Sequence, residues 1–151
     1  MLHIYIDADA CPVKQEVFKV AERYQLEVTL VANSWMRVPD YNKLKLVVVK
    51  DQFDAADDWI VEHLVEDDLV ITGDILLADR CIKKKALVLG TTGKEFTEDA
   101  IGGAIAMRAV MADLRDSGAI SGGPAPFQPK DRSRFLQSLD RMIQSVKNKN
   151  R

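Results

Sequence analysis

The sequence lacks any long hydrophobic run, and it contains only two cysteines, Cys11 and Cys81, among its 151 residues. A membrane-spanning helix needs about 20 consecutive apolar residues, so we do not expect the chain to cross a bilayer. The first apolar run, 1–6, is interrupted at once by Asp7 and Asp9 and does not resemble a secretory signal. We therefore expect a cytoplasmic protein whose two thiols stay reduced.

The chain also lacks a strong excess of charge of one sign, because 21 basic and 23 acidic residues give a formal net charge of -2. This balance argues against a protein that coats nucleic acid through its overall charge. It leaves a metal-dependent nuclease open, since bound cations neutralise an acidic pocket locally. With 47% hydrophobic and 29% charged residues, the composition is that of one ordinary globular domain.

Apolar runs typical of strands alternate with amphipathic segments typical of helices along most of the chain. Strands are predicted at 2–6, 26–32, 44–49, 68–72 and 86–89. Helices are predicted from Pro12 onward and over 54–65, 74–84, 99–114 and 133–146. Strands separated by helices of this length are joined by right-handed crossovers, which produce a parallel sheet covered on both faces. The predicted fold class is therefore α/β, a three-layer α/β/α arrangement with a mostly parallel, five-stranded, Rossmann-like sheet.

Three regions are predicted along the chain: an α/β domain over 1–116, a Gly/Pro-rich connection over 117–130, and a C-terminal helix within 131–151. The connection is neither helix nor central strand because of Gly118, Gly122, Gly123, Pro124, Pro126 and Pro129. The final helix carries an apolar stripe of Phe135, Leu136, Leu139, Met142, Ile143 and Val146. This stripe must be covered, either by the same domain or by a partner subunit in a homodimer.

Aspartates directly follow several predicted strands, at the edge where α/β sheets bind ligands. Asp7 and Asp9 follow the first strand, and Asp74 follows the fourth. The helix after the third strand supplies Asp54, Asp57 and Asp58. Carboxylates crowded on one rim raise one another's pKa, and a hard cation such as Mg²⁺ or Mn²⁺ relieves the repulsion. The pattern indicates metal-assisted phosphoryl transfer or phosphodiester hydrolysis.

Each of these aspartates also has a purely structural explanation. Asp9, Asp54 or Asp74 can serve as the N-cap of the helix that follows it. The other acidic residues in the first turn of the helix after the third strand can simply complement the dipole of that helix. Asp7 is the hardest to explain in this way, because it ends a buried strand. The cluster is therefore more informative than any single member.

Four further residues are placed where they can contact a substrate phosphate: Lys14, Asn33, Ser34 and Thr72. Turn formation is the alternative explanation for the polar residues among them. The segment 90–94 offers backbone amides for a phosphate but lacks the spacing of a P-loop. Cys11 has no histidine near it in the sequence, so we do not expect it to act as a nucleophile.

The stretch Ile6–Asp7–Ala8–Asp9–Ala10–Cys11–Pro12–Val13–Lys14 resembles the opening motif of the YaiI/YqxD family of uncharacterised bacterial proteins. TGDILLA at 72–78, GGA at 102–104 and GGP at 122–124 resemble the later motifs of that family. The resemblance covers nearly the whole chain. It implies membership of a family without an established reaction.

More distantly, the layout is similar to PIN-like nuclease domains, which carry an aspartate after the first strand, an acidic residue in a middle helix and an aspartate opening the helix after the fourth strand. Asp7, either Asp57 or Asp58, and Asp74 match these positions, while Asp9 is an addition to that pattern. The resemblance implies a PIN-like fold and a ribonuclease. Its metal ligands would be Asp7, Asp57 and Asp74, and its catalytic residues Asp7, Asp9, Asp58 and Asp74.

Two other functions remain open. Asp7–Ala8–Asp9 also resembles the nucleophile and acid pair of haloacid-dehalogenase-type phosphatases. In this sequence, however, Thr72 and Asp74 lie at the end of one strand, whereas that family draws its threonine and its metal-binding aspartates from different strands. The protein is alternatively a non-catalytic module that binds nucleotide or RNA, but an acidic rim repels a polyanion unless a cation is present. We therefore expect a phosphodiesterase that uses Mg²⁺ or Mn²⁺ and acts on RNA or nucleotide phosphates.

Overall fold

The computed structural model describes residues 2–9, 11–50, 52, 54–122 and 126–149. Within these residues the strands are β1 (His3–Asp7), β2 (Glu27–Ala32), β3 (Leu44–Val48), β4 (Leu69–Ile71), β5 (Leu87–Leu89) and β6 (Glu95–Phe96). The helices are α1 (Lys14–Tyr24), α2 (Ala55–His63), α3 (Ile75–Lys83), α4 (Glu98–Asp116) and α5 (Pro129–Lys149). The parts of the predicted motifs at Ala10, Gly123 and Pro124 lie outside the described residues.

The strands form one sheet in the order β3-β2-β1-β4-β5-β6. All neighbouring strands are parallel except β6, which runs antiparallel to β5. The α/β class with a mostly parallel sheet is thereby confirmed. The described sheet has six strands rather than the predicted five, because β6 has only two residues, too few for an alternating pattern to be recognised in the sequence. Strand order reverses between β1 and β4, which makes their carboxyl ends the switch point where such sheets bind ligands.

Alternate side chains of each central strand face opposite layers of helices. Ile4 and Ile6 of β1 lie in a core shared with α1 and α5, and Tyr5 between them packs toward α2 and α3. The apolar stripe of α5 is buried in the first of these cores, with Phe135 and Leu139 fully inaccessible to solvent. In this structure, then, the stripe is covered by its own domain.

Two helices, α1 and α5, begin at residues other than the predicted ones. α1 begins at Lys14 and not at Pro12, because the chain first makes a turn in which the Cys11 N–H donates to the Ala8 carbonyl. α5 begins earlier than predicted, at Pro129, whose fixed φ suits a first helical position. Of the helices within the described ranges, none combines the length and the apolar character that a bilayer crossing requires.

Candidate active site

An open cavity of about 500 Å³ lies at the carboxyl edge of the sheet, where β1 and β4 are neighbours. Loops that leave a switch point turn to opposite faces of the sheet, and the crevice between them is this cavity. Its lining consists of Asp7, Asp9, Asn33, Gln52, Asp54, Ala55, Ala56, Asp57, Gly73 and Asp74. Half of these ten residues are aspartates, and they come from three separate parts of the chain. The tertiary structure therefore assembles the acidic rim that the sequence predicts.

The side chain of Thr72 connects two of these aspartates. Its hydroxyl donates to Asp7 Oδ2 at 2.9 Å and accepts from the Asp74 backbone N–H at 3.0 Å. Thr72 is only 1% exposed, so surrounding atoms hold it in place. A buried hydroxyl thus sets the positions of Asp7 and Asp74 relative to each other. Thr72 lies beneath the cavity and does not line it, whereas its predicted role was contact with substrate.

Two carboxyl groups of the cavity bind their protons unusually tightly. Burial raises the pKa of Asp7 to about 6; the charges of Asp74 and Asp9 add to this rise, and the hydrogen bond from Thr72 opposes it. Burial also raises the pKa of Asp57 to about 7, together with the charges of Asp7, Asp74 and Asp54. Mutual repulsion of this kind is relieved when a cation binds between the carboxylates.

The middle acid of the cavity is Asp57, which faces it from the first turn of α2. The neighbouring Asp58 is exposed, does not line the cavity, and pairs through Oδ1 with Arg80 at 2.9 Å. Asp54 also lines the cavity and has a left-handed backbone with φ of 61°, a conformation that aspartate adopts more readily than most residues. Its side chain does not cap α2.

Asp74 and Asp9 differ in how far a structural role explains them. Asp74 caps α3, because its Oδ1 accepts from the N–H groups of Leu76 and Leu77 at 2.9 and 3.4 Å. Asp9 does not cap α1, and its Oδ2 instead accepts from the Asn33 N–H at 3.2 Å. Asn33 Oδ1 is buried at the same cavity without a hydrogen-bond partner among the described residues. An unpaired polar atom of this kind is suited to a ligand in the cavity.

Two residues predicted to contact substrate lie elsewhere. Lys14 donates to the carbonyl oxygens of Cys11 and Ala8 at 2.9 and 3.3 Å, which ties down the loop between β1 and α1. Ser34 is exposed and does not line the cavity. Sequence reasoning passed over Trp35, which is 73% exposed just two residues beyond the cavity residue Asn33. The signal for it was a large aromatic residue in a polar loop.

The donor set fits a hard divalent cation, because it consists of carboxylate and amide oxygens. None of Asp7, Asp57 and Asp74 forms an ion pair with a basic side chain within the described part of the chain. Across the described ranges, acidic, histidine and cysteine side chains do not form a group of three close enough to enclose a metal alone. Mg²⁺ commonly takes one or two carboxylates and completes its shell with water and substrate phosphate.

The raised pKa values predict how stability depends on pH when metal is absent. Asp7 and Asp57 hold protons in the folded protein at pH values where the unfolded chain has lost them, from about 4 up to about 6 or 7. The free energy of unfolding in chelator should therefore fall as pH rises through this window, by a few kcal/mol once solvent screening of the half-exposed Asp57 is allowed for. Asp57→Asn should reduce this decline and make the protein more stable at pH 8. Urea unfolding at pH 4.5, 6 and 8 measures this, and an unchanged decline in the variant would contradict it.

Comparison with known proteins identifies the family of the chain. A model described as the uncharacterised YaiI/YqxD family matches residues 5–145. A UPF0178 protein of Rhodospirillum rubrum is 58% identical over 147 residues, covering 97% of this chain and 98% of the relative. A UPF0178 protein of Rhodospirillum centenum is 52% identical over 151 residues, covering 97% and 98% respectively. No solved structure matches the chain. The protein belongs to the YaiI/YqxD family.

Proposed function

We propose that this protein is a divalent-metal-dependent phosphodiesterase that cleaves single-stranded RNA at the aspartate cavity. The observation that supports this most strongly is the buried Thr72 hydroxyl, which brings Asp7 and Asp74 together at the sheet's switch point. The charges of Asp74 and Asp9 raise the pKa of the Asp7 carboxyl there, and crowding of this kind is typical of functional sites. The distant sequence resemblance to PIN-like nucleases implies the same activity.

The residues of the cavity divide into three roles. Asp7, Asp57 and Asp74 come from three elements and share one cavity. They would hold Mg²⁺ or Mn²⁺ with one or two carboxylates bound directly and the remainder through water, because these three described residues are not close enough together to enclose it. When bound, the cation supplies neutralisation of the phosphate charge and a water of lowered pKa. Asp9 is exposed at the cavity. It would accept a proton from the attacking water as the water oxygen bonds to phosphorus, while the bond from phosphorus to the departing ribose oxygen breaks and that oxygen takes up a proton from solvent. Thr72 is a positioning residue, because it contacts the aspartates and not the cavity.

Trp35 supports single-stranded nucleic acid as the substrate class. Aromatic side chains that project into solvent beside a backbone-binding groove stack on unpaired bases, and this contact tolerates any base sequence. The other tryptophan, Trp59, is half-buried on α2 and stacks on His63 with ring centroids 3.8 Å apart. Of the two tryptophans, Trp35 is therefore the one that offers an exposed ring for stacking on a base.

The rate of RNA cleavage should depend on Asp57 and not on Asp58. With a labelled RNA oligonucleotide and Mn²⁺, Asp57→Asn should reduce the cleavage rate by a factor on the order of 100, because one of the carboxylates that would hold the cation is removed. Asp58→Asn is the matched control: it removes the same charge one residue away, where the carboxylate pairs with Arg80 outside the cavity. Its rate should stay close to that of the unaltered protein.

Two results would contradict the proposal. One is a wild-type protein that cleaves no RNA in Mg²⁺ or Mn²⁺ although it is folded. The other is equal loss of activity in both variants, because this would show that α2's overall charge matters and not the cavity. RNA that binds equally well in chelator, without turnover, would favour a non-catalytic binding module.

A further inference from the structure

A second cavity, of about 670 Å³, lies between α5 and the turn that joins β5 to β6. Four of its lining side chains are cationic, namely Lys94, Lys130, Arg134 and Arg141, and one is acidic, Asp131. The remaining lining residues are Thr92, Gly93, Pro126, Gln128, Gln137 and Ser138. The cavity is therefore cationic and rich in hydrogen-bonding groups, in a protein whose overall charge is slightly negative.

The four cationic groups are not used in holding the fold together by ion pairs. In the described part of the chain, none of Lys94, Lys130, Arg134 and Arg141 pairs with a carboxylate. The carboxylate of Asp131 is engaged locally, since its Oδ2 accepts from the Gln128 N–H at 3.0 Å. Like charges gathered in one concave surface raise the local concentration of anions.

The cavity is a built feature, because the turn and the helix are fastened to each other. Ser138 Oγ donates to the Gly93 carbonyl at 2.7 Å. A Cβ at Gly93 would lie 2.7 Å from the Arg134 carbonyl carbon and oxygen, and the φ of Gly93 is +90°. Only glycine allows so close an approach in this conformation. Lys94 is consequently held opposite the cationic face of α5.

This basic cavity and the aspartate cavity share the carboxyl edge of the sheet. The turn of the basic cavity follows β5, which neighbours β4, and β4 ends at the aspartates. Thr91, next to the lining residue Thr92, has its hydroxyl 3.9 Å from the Cβ position of Gly73, which lines the aspartate cavity. β1 and β5 are two strand spacings apart, about 10 Å, so a short oligonucleotide is long enough to extend from the end of one strand to the end of the other.

We propose that the basic cavity binds backbone phosphates of the single-stranded RNA whose cleaved phosphodiester lies at Asp7 and Asp74. The inference rests on the proposed function for the nature of the ligand. The basic cavity supplies the attraction for a polyanion that the aspartate cavity opposes. It also sets the direction in which the strand leaves the reacting phosphate, toward α5.

The test is binding of a fluorescent 12-nucleotide RNA in chelator, followed by anisotropy at several salt concentrations. The double variant Lys94→Ala/Arg134→Ala should weaken binding at least about tenfold. It should also reduce the slope of log affinity against log salt by about 0.7 for each phosphate that the protein no longer neutralises. The control, Lys19→Ala/Lys45→Ala, removes the same charge from exposed positions on α1 and β3, and its affinity should match the wild type.

Equal weakening by both double variants would overturn the inference, because overall charge would then explain the binding. So would displacement of the RNA by inorganic phosphate as effectively as by unlabelled RNA, since the cavity would then take an isolated phosphate. Because the assay measures binding without metal, its result does not depend on turnover. RNA binding that requires Lys94 and Arg134 in a protein without hydrolytic activity would retain this inference and reject the proposed function.

Discussion

Asp7→Asn is expected to lower the rate of RNA cleavage by a factor on the order of 10²–10³, while the protein remains folded. Asp7 ends β1 at the switch point, and its Oδ2 receives the hydrogen bond of the buried Thr72. Asparagine keeps the size of the side chain but removes the charge that the proposed cation needs. The measurement is the single-turnover cleavage rate in Mn²⁺, with circular dichroism to verify the fold.

Asp113→Asn is the control for the removal of one negative charge, because Asp113 is exposed on α4, away from the cavity lining. A second readout is Mn²⁺ binding, which should weaken in Asp7→Asn and stay unchanged in Asp113→Asn. Full activity in Asp7→Asn would reject Asp7 as a metal ligand. A phosphorylated Asp7 recovered from acid-quenched wild-type enzyme would instead assign the haloacid-dehalogenase type of chemistry.

Phe135→Ala is expected to lower the free energy of unfolding by about 3–5 kcal/mol, the usual cost of removing a fully buried aromatic side chain. Phe135 is 0% exposed and belongs to the core that α5 forms with α1 and the sheet. A protein of this size is stable by only about 5–15 kcal/mol in total, so a large part of its stability would disappear. Urea unfolding monitored by circular dichroism measures the change.

Leu136→Ala provides a comparison on the same helix, since Leu136 is only partly buried and its truncation should cost clearly less. Equal costs at the two positions would contradict the packing of α5 against the sheet. The unfolding midpoint of Phe135→Ala should not depend on protein concentration, because its neighbours belong to the same chain. A midpoint that rises with concentration would instead indicate that the stripe of α5 is covered by a second subunit.

The sequence predicts an acidic site at this edge of the sheet, but it does not predict every aspartate that lines it. Chain order alone places Asp7 after β1 and Asp74 before α3, and the rule for parallel sheets brings those ends together. The choice between Asp57 and Asp58 needed coordinates, since adjacent helical residues point about 100° apart and either fits a periodic pattern. Only the fold shows that Arg80 neutralises Asp58 and leaves Asp57 at the cavity.

Thr72 and Lys14 show why roles are harder to predict than positions. Both lie at strand or helix ends, where polar side chains often meet ligands, and both instead hydrogen-bond within the protein. The basic cavity was missed because its members come from two segments. The spacing of Lys130, Arg134 and Arg141 on one helical face was a signal, but the turn carrying Lys94 joins them only through the close approach of Gly93 to α5.

The amino-acid sequence by itself determined the α/β class, the places of five strands and the aspartates that follow them. These depend on local periodicity and chain order, which are visible in one dimension. The tertiary structure decided the short sixth strand, the side of α2 that faces the cavity, the cover over α5 and the cationic surface beside it. Those depend on distances between segments remote in the chain, and side-chain packing sets such distances.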